Sequence, residues 1–194
     1  MVLDKGRGIA SKFINPIASK LSKINPNAIT SLSLIFSIIF VLTMFYSMLL
    51  ISFLLLLFSS LFDALDGAIA RIANKTSKLG DFLDHLFDRY SDFLIILGIS
   101  ISIYGNILFG LIALAGTFMT SYVGTQAQAV GLGRFYGGFP GRADRLVIFM
   151  LGLVLQYFTG KIFGYYILSW VLLFIGIAGL LNSAYRSYKV IRSI

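Results

Sequence analysis

Asp63 and Asp66 stand three residues apart and Asp84 and Asp88 four apart, with Asp81 one turn earlier, in the stretch LFDALDGAIARIANKTSKLGDFLDHLFDRYSD at 61–92. Spacings of three and four put each pair on one face of a helix. Two helices joined by a short loop bring such faces together and offer four or more carboxylates to one point. That donor set suits hard divalent cations: magnesium, manganese or calcium. Gly67 and Ala70 remove side-chain bulk on or near the same face, so a large polar group can approach the helix backbone. Arg71 adds a planar guanidinium fork suited to phosphate. Such an assembly fits a pyrophosphate, because metals neutralise phosphoryl charge and stabilise attacking and leaving oxygens. The competing account is an ion-pair network in which Arg71 or Arg89 neutralises Asp63, Asp66 or Asp84. Acids outnumber bases around these positions, which favours a bound cation.

The elements that position these carboxylates are membrane helices. The 194 residues are 58% hydrophobic and 12% charged, against roughly 45–50% apolar in soluble domains. Apolar runs fall at 29–46, 48–69, 86–104, 107–130, 146–159 and 161–182. A transmembrane helix takes about 20 residues, so six with short loops use most of the chain. The predicted fold is all-α: one integral membrane domain in which 28–194 form a six-transmembrane-helix bundle and 1–27 an N-terminal interfacial segment. Residues 8–24 place Ile9, Phe13, Ile17, Leu21 and Ile24 at helical spacing, with Lys12, Lys20 and Lys23 off the stripe. This is the pattern of an amphipathic interfacial helix, serving as a positive anchor or in admitting a lipid. Pro16 favours a bend in it. The segment lacks the apolar core of a cleavable signal peptide.

Charge sets the orientation. Lys5, Arg7, Lys12, Lys20 and Lys23 precede the first run; Arg71, Lys75, Lys78 and Arg89 surround the acidic stretch; Arg134, Arg142 and Arg145 follow the fourth; Arg186, Lys189 and Arg192 end the chain. Lys161 alone falls on the other side. By the positive-inside rule both termini and the acidic site face the cytoplasm of a multi-pass cell-membrane protein. The net charge of +8 is spread over membrane-proximal loops, which suits anionic headgroups or a phosphorylated substrate and not nucleic acid. The absence of cysteine excludes disulfides, thiolate nucleophiles and Cys-held metals.

The run DALDGAIARIANKTSKLGDFLDHLFD matches D-x2-D-G-x2-A-R-x8-G-x3-D-x3-D through Asp63, Asp66, Gly67, Ala70, Arg71, Gly80, Asp84 and Asp88. With these eight positions and all their intervals, the chain resembles the CDP-alcohol phosphotransferase family. Upstream, Pro26, Asn27 and Thr30 in NPNAIT resemble that family's P-N-x-x-T element near the nucleotide. The resemblance implies a bundle, commonly homodimeric, with a cytoplasmic cavity. It implies Asp63, Asp66 and Asp84 as ligands of Mg2+ or Mn2+, two ions in all, with Asp88 completing the metal site and acting as general base. Gly67, Ala70, Arg71 and Gly80 then contact the CDP group, and Asp63 serves nucleotide and metal together. The implied reaction moves a phosphatidyl or archaetidyl group from a CDP-linked lipid to an alcohol and releases CMP.

The acceptor must be read elsewhere. In members that use inositol phosphate or glycerol phosphate, a segment similar to GRADRL offers two arginines three apart to the acceptor's phosphate, and Arg142 and Arg145 resemble that pair. Two guanidiniums suit a phosphate dianion better than serine, choline or ethanolamine; the plainer account is that they mark a cytoplasmic loop. The inositol-phosphate-using members often carry basic residues after a Ser-Tyr in the fourth span, where SYVGTQAQA has Gly124 and Gln126. Gln126 can hydrogen-bond sugar hydroxyls or phosphate without adding charge, so the acceptor pocket is either less basic or completed by Arg134, Arg186 or Lys189. The expected acceptor is a phosphorylated polyol, first inositol phosphate and then glycerol phosphate.

Outside the motif, Asp81 is placed to support a metal ligand, Asp92 to pair with Arg89 or cap a helix, and His85, the only histidine, to pack. A membrane prenyltransferase also uses paired aspartates on pyrophosphate but lacks the D-G-x2-A-R run. A divalent-cation transporter is expected to carry its carboxylates near the midplane and spread over repeats.

Overall fold

The computed structural model describes residues 7–133, 135 and 137–193; Lys5 and Arg134 lie outside them, as do the side chains of Ile9 and Phe13. Seven helices follow in order: α1 (Arg7–Lys20), α2 (Pro26–Phe45), α3 (Leu49–Ile72), α4 (Lys78–Ile101), α5 (Ile107–Ala129), α6 (Arg142–Phe158) and α7 (Ile167–Ile191). A two-stranded antiparallel hairpin, β1 (Lys161–Ile162) and β2 (Tyr165–Tyr166), sits between α6 and α7.

Four of these, α2, α3, α5 and α7, are long and apolar enough to cross a membrane. Of the three that fall short, α1 is only 14 residues long, and α4 and α6 carry charges near their starts: Asp81, Asp84 and Asp88 on one, Arg142, Asp144 and Arg145 on the other. Hydropathy therefore trims the turns that carry the chemistry. It places the start of the third run at 86, whereas α4 starts at Lys78, where the Ser77 side chain accepts from Gly80 N at 3.0 Å and caps the helix. The last run also shifts, from 161–182 to 167–191, because Phe163 and Gly164 take positive φ and turn the chain into the hairpin. An apolar run alone cannot show that turn.

Helices pack through small residues, as they must where lipid removes any hydrophobic gain from helix contact. On α2 and α3 the Ser37 and Ser59 hydroxyls meet at 3.0 Å, Ser59 donates to Ser33 O at 2.9 Å and Ser52 donates to Thr43 Oγ1 at 2.8 Å. On α5 and α7 the backbones touch: a Cβ at Gly179 would lie 2.7 Å from the Gly116 carbonyl carbon, and one at Gly176 would lie 2.7 Å from Ala113 N. Thr120 donates to Gly179 O at 2.7 Å across the same seam. Gly176→Ala, which forces backbone apart, is expected to cost about 1–3 kcal/mol and lower the melting temperature of the protein in detergent. Gly160→Ala, with open space around it, is the control that stays at the wild-type value.

Around this seam the core is apolar, built on Phe40, Leu56, Ile95, Ile99, Phe149 and Leu172. A second cluster docks α1: Ala18, with Ile14 and Leu21, packs against Ile29, Leu65, Ala68 and Ile69. Lys12, Lys20, Ile17 and Ile24 stay exposed.

Candidate active site

The C-terminal half of α3 and the first turns of α4 bring the acidic motif together. One carboxylate oxygen from each of Asp63, Asp66 and Asp84 lies within 4.8 Å of the others. Asp66 is buried, 4% exposed, and its Oδ2 has no hydrogen-bond partner. Three carboxylates this close, one of them buried with an unpartnered oxygen, repel one another when ionised and favour a bound cation. An all-oxygen set of this kind fits a hard divalent ion.

The residues that the resemblance assigns to the CDP group converge on the same end. Pro26 opens α2 and is buried; Asn25 caps it, accepting from Asn27 N at 3.0 Å. A Cβ at Gly80 would meet Asn27 Oδ1 at 3.3 Å, so the glycine lets α2 and α4 close together there. Thr30 lies beside the Asp66 carboxylate. Arg71 is exposed and its Nη1 lies over Gly67, 3.3 Å from where a Cβ would stand, while Ala70 is half-buried next to it. Lys75 donates to Ser22 O at 3.0 Å, tying the α3–α4 loop to the end of α1. Lys23, Asn25, Pro26, Asn27, Lys75 and Ser77 line a polar hollow of about 300 Å³. A larger hollow of about 560 Å³, lined by Tyr104, Tyr157, Thr159 and Tyr166, is at the opposite end of the bundle and holds none of the charged groups.

Asp88 stands one helical turn beyond Asp84 and outside the trio. Its Oδ1 faces Arg142 Nη1 at 2.7 Å, and the same nitrogen donates to Asp63 Oδ2 at 2.6 Å. Arg142 thus bridges the trio to Asp88. Among the described residues the arginine that pairs with the trio is neither Arg71 nor Arg89 but Arg142 of α6, 79 residues from Asp63, while Arg89 pairs with Asp88 and Asp92. No ion pair reaches Asp66 among the described residues.

Sequence reasoning missed the next layer. Asp92, 4% exposed, accepts from Arg89 Nη1 at 2.9 Å, as its spacing allowed, but also from Arg145 Nη2 at 2.7 Å. Arg89 reaches on to Ser121 Oγ of α5 at 2.6 Å. The α6 arginines are delivered by the loop before them: Asp144 accepts from Gly141 N at 2.8 Å, Asn182 donates to Pro140 O at 3.2 Å, and Arg186 donates to Gly137 O at 2.7 Å. Gly138 has φ +87° and its missing Cβ makes room for Asn182.

Arg186 also donates to Thr120 O at 2.9 Å and lies 3.2 Å from where a Cβ of Gly124 would stand. The glycine at 124 therefore admits a cation from α7. Gln126 is exposed, off the buried stripe of α5 that carries Thr120, Gly124 and Ala127. Lys189 is exposed, over the Tyr185 ring. His85 lies between Asp81 and Asp84, 3.4 and 3.7 Å away; Asp81 is exposed.

Residues 23–182 match the CDP-alcohol phosphatidyltransferase family. An archaetidylinositol phosphate synthase of Methanothermobacter thermautotrophicus is 39% identical over 103 residues, about half of each chain, 53% of this one and 52% of that one. One from Pyrococcus horikoshii is 29% identical over 76% of this chain and 79% of its own. The crystal structure of Mycobacterium tuberculosis phosphatidylinositol phosphate synthase with CDP-DAG bound superposes with a TM-score of 0.78 at 29% identity, covering 92% of this chain and 94% of that one. A second structure of the same mycobacterial protein, with manganese and citrate, has the same TM-score and covers 91% and 88%. With the motif assembled at one end of an apolar helical bundle and the match spanning most of its length, the chain is an integral membrane protein that belongs to the CDP-alcohol phosphatidyltransferase family, enzymes of phospholipid synthesis.

Proposed function

We propose that this protein transfers the phosphatidyl or archaetidyl group of a CDP-linked lipid to a hydroxyl of inositol phosphate, releasing CMP. The observation that carries the reading is the junction of the Asp63, Asp66 and Asp84 oxygens with Asp88 through one arginine. Asp63, Asp66 and Asp84 hold Mg2+ or Mn2+, with Asp88 beside them; two ions is the family's number. The ions neutralise the pyrophosphate's charge when bound.

The chain's own groups do the rest. Asn27, Gly67, Ala70, Arg71 and Gly80 cradle the nucleotide, with Pro26 and Thr30 fixing the start of α2. Asp88 takes the proton from the acceptor hydroxyl, whose oxygen forms the new bond to phosphorus as the bond to CMP breaks. Such a base helps only within hydrogen-bond reach of that hydroxyl, and the arginines set the reach. Arg142 and Arg145 receive the acceptor's phosphate with Arg186 as the third cation, supplying over Gly124 the charge that α5 itself lacks. Positioning and electrostatics provide most of the acceleration.

We further propose six spans, with α4 and α6 crossing beside the four more apolar helices, and α1 in the cytoplasmic interface. Both termini and the site are cytoplasmic, as the distribution of lysine and arginine supports. The homodimer rests on the family likeness alone.

The test is CMP release by purified protein with magnesium or manganese and a CDP-linked lipid, comparing inositol phosphate, glycerol phosphate, free inositol and serine. Release with inositol phosphate alone is expected. Release with glycerol phosphate moves the reading to that acceptor, and release with only an uncharged acceptor removes the arginine assignment while leaving the aspartate site.

A further inference from the structure

Asp92 is a buried acid for which the reaction above has no use. It stands one turn beyond Asp88 on α4, 4% exposed, where an intramembrane carboxylate costs about 2.5–3.5 kcal/mol on insertion scales. Both of its oxygens face guanidiniums. Oδ2 accepts from Arg89 at 2.9 Å and Arg145 at 2.7 Å, and Oδ1 lies 3.7 Å from Arg142 Nε. With Oδ2 shared by two arginines and Oδ1 turned to a third, it is not presented to the Asp63–Asp66–Asp84 trio.

The charges around it explain what it does. In the connected network, Asp63, Asp88 and Asp92 balance Arg89, Arg142 and Arg145. Were Asp63 to hold a divalent ion, with Asp88 beside it, those two carboxylates would no longer be given over to neutralising Arg142. Asp92 then faces three guanidiniums alone, an excess of two positive charges that matches a phosphate dianion. Without Asp92 those three cations repel one another, Arg145 loses the carboxylate that orients it, and Arg142 is left with Asp63 and Asp88 alone.

We infer that Asp92 is a positioning residue that holds Arg142 and Arg145 where they meet the acceptor's phosphate, so that it selects phosphorylated acceptors without touching one. This rests on the proposed acceptor site. Arg89, clamped between Asp92 and Ser121 Oγ, anchors the hub to α5.

The test uses the full-length protein in detergent with manganese. It measures KM for inositol phosphate, KM for the CDP-linked lipid, kcat, and calorimetric binding of inositol phosphate without lipid donor. In Asp92→Asn the acceptor KM and dissociation constant are expected to rise about tenfold or more, in line with the loss of other supporting partners, while the lipid KM holds. Asp92→Glu recovers part of the affinity because it restores the charge. Should Asp92→Asn fail to fold, the double variant Asp92→Asn with Arg89→Gln keeps the wild-type net charge and carries the same expectation.

Wild-type acceptor affinity in the folded variant, or an equal loss for both substrates, overturns the inference. Arg145→Gln separates the two levels. If Arg145→Gln raises the acceptor KM and the Asp92 variants do not, only the inference falls; if Arg145→Gln changes nothing, the acceptor site falls and the inference with it.

Discussion

Asp66→Asn and Asp88→Asn are each expected to lower metal-dependent CMP release by about a hundredfold or more, for different reasons that separate measurements reveal. Asparagine matches aspartate in shape, so the packing of α3 and α4 survives and the loss reports charge. Asp66 is the most buried member of the three-carboxylate set and carries the unsatisfied Oδ2. Its amide variant should lose Mn2+ binding, read by paramagnetic resonance or calorimetry, and activity with it. Asp88 lies outside the three-oxygen set and against Arg142. Its variant should retain most of the Mn2+ affinity and lose kcat, since a positioned base contributes about 10²–10⁴-fold. Full activity in both variants would remove the assigned site. Loss of Mn2+ binding in Asp88→Asn comparable to that in Asp66→Asn would make Asp88 a full metal ligand.

The second large effect is expected at Arg142. One nitrogen of this side chain serves Asp63 at 2.6 Å and Asp88 at 2.7 Å, and its Nε is turned toward Asp92 at 3.7 Å. Breaking a buried pair by removing one partner costs about 3–5 kcal/mol, because the surviving charge is left uncompensated; here two carboxylates are left. Arg142→Gln should therefore melt well below wild type in chelator and regain more stability on addition of Mn2+ than wild type does, because a divalent ion replaces the missing cation between Asp63 and its neighbours. Activity should fall about a hundredfold or more even with metal present, through the acceptor KM. Arg142→Lys should not rescue it: an ammonium is a point charge and cannot reach Asp63, Asp88 and Asp92 from one planar fork. Equal Mn2+-induced shifts in wild type and Arg142→Gln would show that metal and arginine do not share these carboxylates.

Much of the site was legible along the chain because it is local. Asp63, Asp66, Gly67, Ala70 and Arg71 lie within nine residues of one helix, and Gly80, Asp84 and Asp88 within nine of the next, so helical periodicity alone puts each group on one face. A short loop then forces the two faces together. Membrane character was legible for the same kind of reason: span length and composition answer to bilayer thickness, a constraint that acts on each segment separately. Hydropathy was least informative where function sits. It cut α4 and α6 short at their charged first turns and ran α7 into the β1–β2 hairpin.

The residues themselves determined a pair of helices that gathers Asp63, Asp66, Asp84 and Arg71 at one end. Only the tertiary structure decided which cations answer which acids. Arg142 meets Asp63 across 79 residues and Arg145 meets Asp92 across 53, contacts set by how α7, through Asn182 and Arg186, pins the loop that aims α6. The cation over Gly124 likewise comes from α7, because the glycine seam of α5 and α7 brings Arg186 there. Helical periodicity fixes a side chain's direction on its own helix; the pairing of charges between helices depends on how backbones approach, and that is settled by packing over the whole bundle.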